Sequence, residues 1–212
     1  MPKPTASWII RALFKHKVVI MDSDAWKEFE ITGIYNTNNV YRELKGANPT
    51  VPWKNLIRGN WARPRSIFVL WMACQKRLQT KDRLARFGTM TDGKCLFCGE
   101  IETCDHLLFA CRFTKDLWKQ VITWMQLYHM PQEWDSELKW CITVGRGKSH
   151  RAKLIKICLA ETVYYVWINR NKGFFQQATD KELVFQEIKV VVLERIQLDR
   201  KLRDYCNVVL AN

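Results

Sequence analysis

Four cysteines and a histidine crowd into CLFCGEIETCDHLLFAC, residues 95–111. Cys95 and Cys98 form C-x2-C, the spacing at which one tight turn aims two thiolates at a common centre, and Gly99 supplies the permissive backbone such a turn needs. His106 and Cys111 complete C-x2-C-x7-H-x4-C, a set of three sulfurs and one imidazole that suits tetrahedral zinc. Buried cysteines around a core histidine are the plainer alternative, but a second pair of ligands at such short range favours the metal. A thiol redox pair at Cys95 and Cys98 loses to zinc for the same reason. Cys104 is a rival for the third position. It lies among Glu102, Thr103 and Asp105 in a polar turn, whereas His106 heads HLLFAC, whose Leu107, Leu108 and Phe109 can bury beside a metal. Four protein ligands leave no open position for water or substrate, so one structural Zn2+ is expected.

The elements that must hold this centre read as helices. PRSIFVLWMACQKRL opens on Pro64, tolerated at a helix start, and is apolar on almost every face. TKDRLARFG follows, with Thr80 as expected N-cap and Gly88 as stop. After the cysteines, FTKDLWKQVITWMQLY sets Leu117, Val121, Trp124 and Met125 at helical spacing. Two long helical patterns then run from about residue 150 to the end, broken near Gly173 and Asp180. Upstream, SWIIRALFKHK reads as a short helix, EITGIY alternates like a strand, and NTNNVYREL begins with capping residues. The expected fold is therefore mainly α: a compact helical domain around one small structural zinc site, with a helical C-terminal extension and minor strand content.

Charge narrows the function classes. Lys and Arg number 34 against 21 Asp and Glu, and the resulting net charge of +13 favours polyanionic partners. Between Lys54 and Lys94 ten basic residues face only Asp82 and Asp92. Burying Phe68, Leu70, Trp71, Leu78, Leu84 and Phe87 would turn Lys76, Lys81, Arg83 and Arg86 to solvent, with Arg63, Arg65 and Arg77 beside them and Trp53 and Trp61 placed to stack bases. These seven cations, Arg63, Arg65, Lys76, Arg77, Lys81, Arg83 and Arg86, are the expected contacts to RNA or DNA. VYYVW and IKVVVL carry more apolar surface than isolated helices can hide, which points either to packing inside the domain or to a protein partner. Neither a membrane nor a small-molecule substrate is expected. No signal peptide is visible, so reduced thiols and an intracellular home, nucleus before cytoplasm, are expected. The acid-free residues before Asp22 are also compatible with organelle import.

Three ordered stretches, ITGIYNTNNVYREL, PWKNLIRGNWARPRSIFVLWMACQKRLQTKDRLARFG and CLFCGEIETCDHLLFACRFTKDLW, resemble the reverse transcriptase zinc-binding domain of plant non-LTR (LINE-type) retrotransposons. The likeness rests on Phe68, Trp71, Arg77, Leu78, Thr80, Arg83 and Leu84, then on Glu102, Thr103, His106, Leu107, Phe109, Cys111 and Trp118. VYYVWINRNKGFF is similar to a W-x-x-R-N segment that follows that domain. The resemblance implies Cys95, Cys98, His106 and Cys111 as zinc ligands, Cys104 outside the set, and a grip on RNA template or target DNA. It divides the chain into an N-terminal helical segment (1–29), the zinc-binding domain (30–130) and a helical extension (131–212). No Asp-Asp pair occurs and the acids are spread singly, so no catalytic residues and no enzyme activity are expected.

Overall fold

The computed structural model describes residues 17, 21–22, 24–34, 38–39, 41–42, 49–173 and 180–209. The chain divides into two units between Thr50 and Val51. In the first, helix α1 (Asp24–Thr32) runs through Glu30 and Ile31, where alternation suggested a strand. Six alternating residues are too few to outweigh helical side-chain pairs: Trp26 Nε1 donates to Glu30 Oε1 at 3.0 Å and Lys27 meets Asp24 at 3.2 Å. Gly33 ends the helix. Of NTNNVYREL the described residues 38, 39, 41 and 42 are helical, and the helix expected over SWIIRALFKHK lies, apart from Lys17, outside the described residues.

The second unit holds α2 (Lys54–Ile57), α3 (Pro64–Cys74), α4 (Lys81–Arg86), a π-type turn (His106–Ala110), α5 (Arg112–Trp124), α6 (Trp134–Val144), α7 (His150–Lys172), α8 (Lys181–Ile196) and α9 (Arg200–Val209). An isolated antiparallel bridge, Lys94 to Ile101, is the strand pairing among the described residues. The boundary expected between 130 and 131 falls inside this unit.

Helix α7 is the axis. Helices α3, α5, α6, α8 and α9 and the π-type turn all pack on it, and Leu154 through Val163 are buried without interruption. A helix apolar on all sides belongs in a core. Ser149 caps it, accepting from Ala152 N at 3.1 Å. Its buried polar residues are held by partners: Glu161 accepts from Arg63 N at 2.9 Å, from the Arg63 guanidinium and from Ser66 Oγ at 2.8 Å, which fixes α3. The apolar surplus of VYYVW and IKVVVL is largely absorbed here, because Val163, Tyr165 and Val166 pack with Val184, Ile188 and Val192 in the core. Among the described residues no helix is long and apolar enough to cross a membrane.

Candidate metal centre

The centre is built on a backbone knuckle. Cys95 N donates to Glu100 O at 2.6 Å and Gly99 N to Cys95 O at 2.8 Å, closing a turn in which Gly99 takes φ +82°. That left-handed angle carries no penalty at glycine. Between the first two cysteines Phe97 stacks on Phe113 of α5, ring centroids 4.5 Å apart, so the knuckle is pressed against the helix that begins after Cys111.

The second half returns the chain by a sharper device. Cys111 N donates to His106 O at 2.7 Å, and Phe109 within the loop takes φ +77°. A bulky residue adopts that conformation only when its surroundings enforce it. They do: the Phe109 ring is fully buried, stacked on Trp118 at 5.3 Å and tilted against Trp134 at 5.8 Å. The reversal brings Cys111 back to the knuckle.

One donor atom each from Cys95, Cys98, His106 and Cys111 lies within 4.8 Å of every other. Cys95 Sγ and Cys111 Sγ are 3.9 Å apart, and Cys98 Sγ is 3.1 Å from His106 Nε2. Zinc bonds of roughly 2.0–2.3 Å give tetrahedral edges of about 3.5–3.8 Å. The donor set therefore fits one zinc ion through three thiolates and Nε2, and four protein donors leave it a structural role. The hydrogen bond between Cys95 and Cys111 raises the Cys95 thiol and lowers that of Cys111, while desolvation raises Cys98. Cys104 lies outside the set. It is 8% exposed in the apolar core, where burial pushes its thiol up to about 12, so it stays protonated. The polar turn expected around it is in fact core-facing at this side chain. All eight cysteines are free.

A buried network locks the centre to α7. Glu102, fully buried, accepts from Lys81 N at 2.8 Å and from Arg170 Nη2 at 2.6 Å. Thr80 does not cap α4 with its side chain as expected; its Oγ1 donates to Asp82 Oδ1 at 2.5 Å, and Glu102 takes the helix N–H instead. Gly88 does stop α4, with φ +80° and Thr89 N donating to Leu84 O at 3.1 Å.

Four of the seven expected nucleic-acid contacts are ion-paired within the protein: besides Arg63 and Lys81, Lys76 meets Asp105 at 3.0 Å and Asp135 at 2.8 Å, and Arg86 meets Asp82 at 3.3 Å. Lys81 is 2% exposed, not solvent-facing: its ammonium reaches Asp92 Oδ1 and Lys94 O, each at 2.6 Å, tying α4 to the segment that enters the knuckle. Its hydrogen bond holds the Asp92 carboxyl below its usual range. Arg63 is bound to Glu161, 2.5 Å from Nη2 to Oε2. Arg65, Lys76, Arg77 and Arg86 are exposed, and Arg83 is half-buried. Phe68 and Phe87, expected in the core, are 57% and 69% exposed; Phe68 lies on Trp71, while Arg83 sits over Phe87 at 5.6 Å. Trp53 is half-buried against the core, and Trp61 sits at the surface under Lys153.

Residues 35–118 match the family described as zinc-binding in reverse transcriptase. This segment is a reverse transcriptase zinc-binding domain. No curated protein and no solved structure matches the chain. The domain's zinc ligands, knuckle and π-type turn all lie within the matched residues, whereas Glu102 of the domain is paired with Arg170 well outside them. Sequence reasoning missed that pairing, although Glu102 and Arg170 each stood in a segment of the resemblance. It also missed the face formed by Trp124 with Lys181, Phe185 and Lys189, whose four-residue spacing was the available signal.

Proposed function

We infer that the protein is a non-catalytic nucleic-acid-binding module of retrotransposon origin, held by zinc and gripping RNA or single-stranded DNA in the nucleus. The observation that carries this reading is a polar recess of about 300 Å³ beside the zinc-binding loop, lined by Lys76, Arg83 and Arg86 together with Thr80 and Thr103. Arg83 Nε is buried there with no partner, a donor suited to a phosphate oxygen. Arg77 is exposed at the turn that ends α3, where Arg77 N donates to Met72 O at 2.8 Å. Asp82 and Asp105 share the recess, Asp105 pairing with Lys76 at 3.0 Å and Asp82 with Arg86 at 3.3 Å, so a phosphate would compete with these carboxylates for the two cations.

Fluorescence anisotropy with a labelled single-stranded RNA, titrated at several salt concentrations, tests this. Affinity on the order of micromolar at low salt is expected, with log K falling against log salt by about 0.7 per phosphate contacted. Replacing Arg77, Arg83 and Arg86 together by Ala should flatten that slope by about 2 while leaving the melting temperature in place. No binding at low salt sinks the reading and favours a protein-docking scaffold, for which exposed Leu183 and Val190 on α8 are the supporting observation.

A further inference from the structure

Helix α5 leaves the metal centre directly, since Cys111 is its N-cap, and packs against α8. A groove of about 540 Å³ opens between them, a volume within the roughly 300–1,000 Å³ of small-ligand sites. Lys181, Phe185 and Lys189 recur at every fourth position of α8 and so share one face. Opposite them on α5 stand Lys119, Gln120 and Trp124. Trp124 was expected in the core with Leu117, Val121 and Met125, yet those three are buried and Trp124 is only half-buried. Its ring meets Phe185 edge to face, centroids 6.5 Å apart. Lys189 Nζ lies 5.8 Å from the Trp124 ring and 5.4 Å from that of Phe185.

We propose that this groove binds one nucleotide unit of a single-stranded nucleic acid, with the base on Trp124 and Phe185 and its phosphates on Lys119 and Lys189. The charge pattern selects this occupant. Among the described residues Asp116 is the one carboxylate lining the groove and is engaged by Lys181 at 3.3 Å, and neither Lys119 nor Lys189 makes an ion pair with them. Two unpaired ammonium groups beside two ring faces match a ligand that is planar and anionic at once. An apolar protein helix would leave the lysines facing hydrocarbon, and an acidic peptide would leave the rings uncovered. Gln120 adds a polar group to the wall: its Nε2 donates to Glu182 Oε2 at 3.4 Å, while its buried Oε1 has no hydrogen-bond partner. The proposal rests on the nucleic-acid reading above and adds a stacking site some distance along the chain from the arginine recess.

The test uses the full zinc-loaded chain, a fluorescein-labelled oligo(U) and the same salt series. Trp124→Ala is expected to weaken binding about tenfold with no change of salt slope, because stacking releases no counterions. Lys119→Ala combined with Lys189→Ala is expected to lower the slope by about 1.4, two contacts' worth on a single strand. Ultraviolet crosslinking of a 5-bromouridine oligonucleotide to the unsubstituted protein, with peptide mapping, gives an answer that does not depend on how any variant folds; the adduct is expected on Trp124 or Phe185. If the unsubstituted protein binds but the adducts are confined to residues 63–86, or folded Trp124→Ala binds as tightly as the parent, the groove has another occupant and the inference falls while the arginine recess stands. Absence of any binding by the unsubstituted chain overturns both.

Discussion

Cys98 and His106 approach each other at 3.1 Å from opposite halves of the loop, so removing either opens the donor set rather than rearranging it. Cys98→Ser and His106→Ala should each lose zinc, measured by atomic absorption, and lower the melting temperature with it, since metal binding in a small site is also folding free energy. Acid should act in the same direction: protons compete for the sulfurs and the imidazole, so zinc is released as the pH falls. Cys104→Ser should keep about one zinc per chain, because that thiol belongs to the core and not to the donor set. Its cost is a modest loss of stability from placing a hydroxyl among apolar neighbours. Should Cys104→Ser strip the metal while His106→Ala retains it, the ligand assignment is wrong. Lys81 separates structural from ligand-binding charge. Lys81→Met should lower stability by about 2 kcal/mol, the order of one charge-assisted hydrogen bond, that to Lys94 O, because the partner Asp92 is solvent-exposed and adds little, and leave the salt slope of nucleic-acid binding unchanged. A flatter slope in folded Lys81→Met would return this residue to the binding face.

Besides the packing of the π-type turn on α7, a buried ion pair, Arg170 with Glu102, joins this helix to the zinc loop, and Arg170 is only 4% exposed at its side chain. Removing one partner leaves the other charge without compensation in a low dielectric. Arg170→Met should therefore cost about 3–5 kcal/mol in urea unfolding, and zinc affinity should fall because Glu102 also holds the start of α4. The double variant Arg170→Met with Glu102→Met should cost less than Arg170→Met alone, since it buries no orphan charge. Equal or additive losses would show that the pair acts through packing only. The helices after residue 130 share one compact unit with the zinc loop, with α7 packing on α3, α5 and the π-type turn beside this pair. The matched family segment supplies Glu102, but its counter-charge comes from the C-terminal part of the chain.

Across the molecule, the expectation of no polymerase chemistry is checked directly: template, primer, nucleotides and magnesium or manganese should yield no incorporation by the purified chain, and template-dependent extension would overturn the non-catalytic reading. The zinc centre and the helical character were legible in the sequence because both are short-range properties. Ligand type and spacing fix a knuckle within a few residues, and Gly88 or Pro64 marks a helix end by its own backbone geometry. Phe109 was legible as buried, but its left-handed backbone was not, because that angle is imposed by the stack with Trp118 and Trp134. The direction of each cation was likewise invisible. Lys81, Arg83 and Arg86 look alike along the chain, yet Lys81 is buried only because Asp92 and the Lys94 carbonyl fold over it, and Arg63 is taken by Glu161 from a helix far along the sequence. Which charges remain for a polyanion is a difference between pairings made across the fold, and local residue type carries no record of a partner nearly a hundred positions away. The sequence by itself determined the zinc ligand set and the mainly helical character; the tertiary structure decided where helices such as α1 and α6 form and which basic and aromatic groups still face solvent.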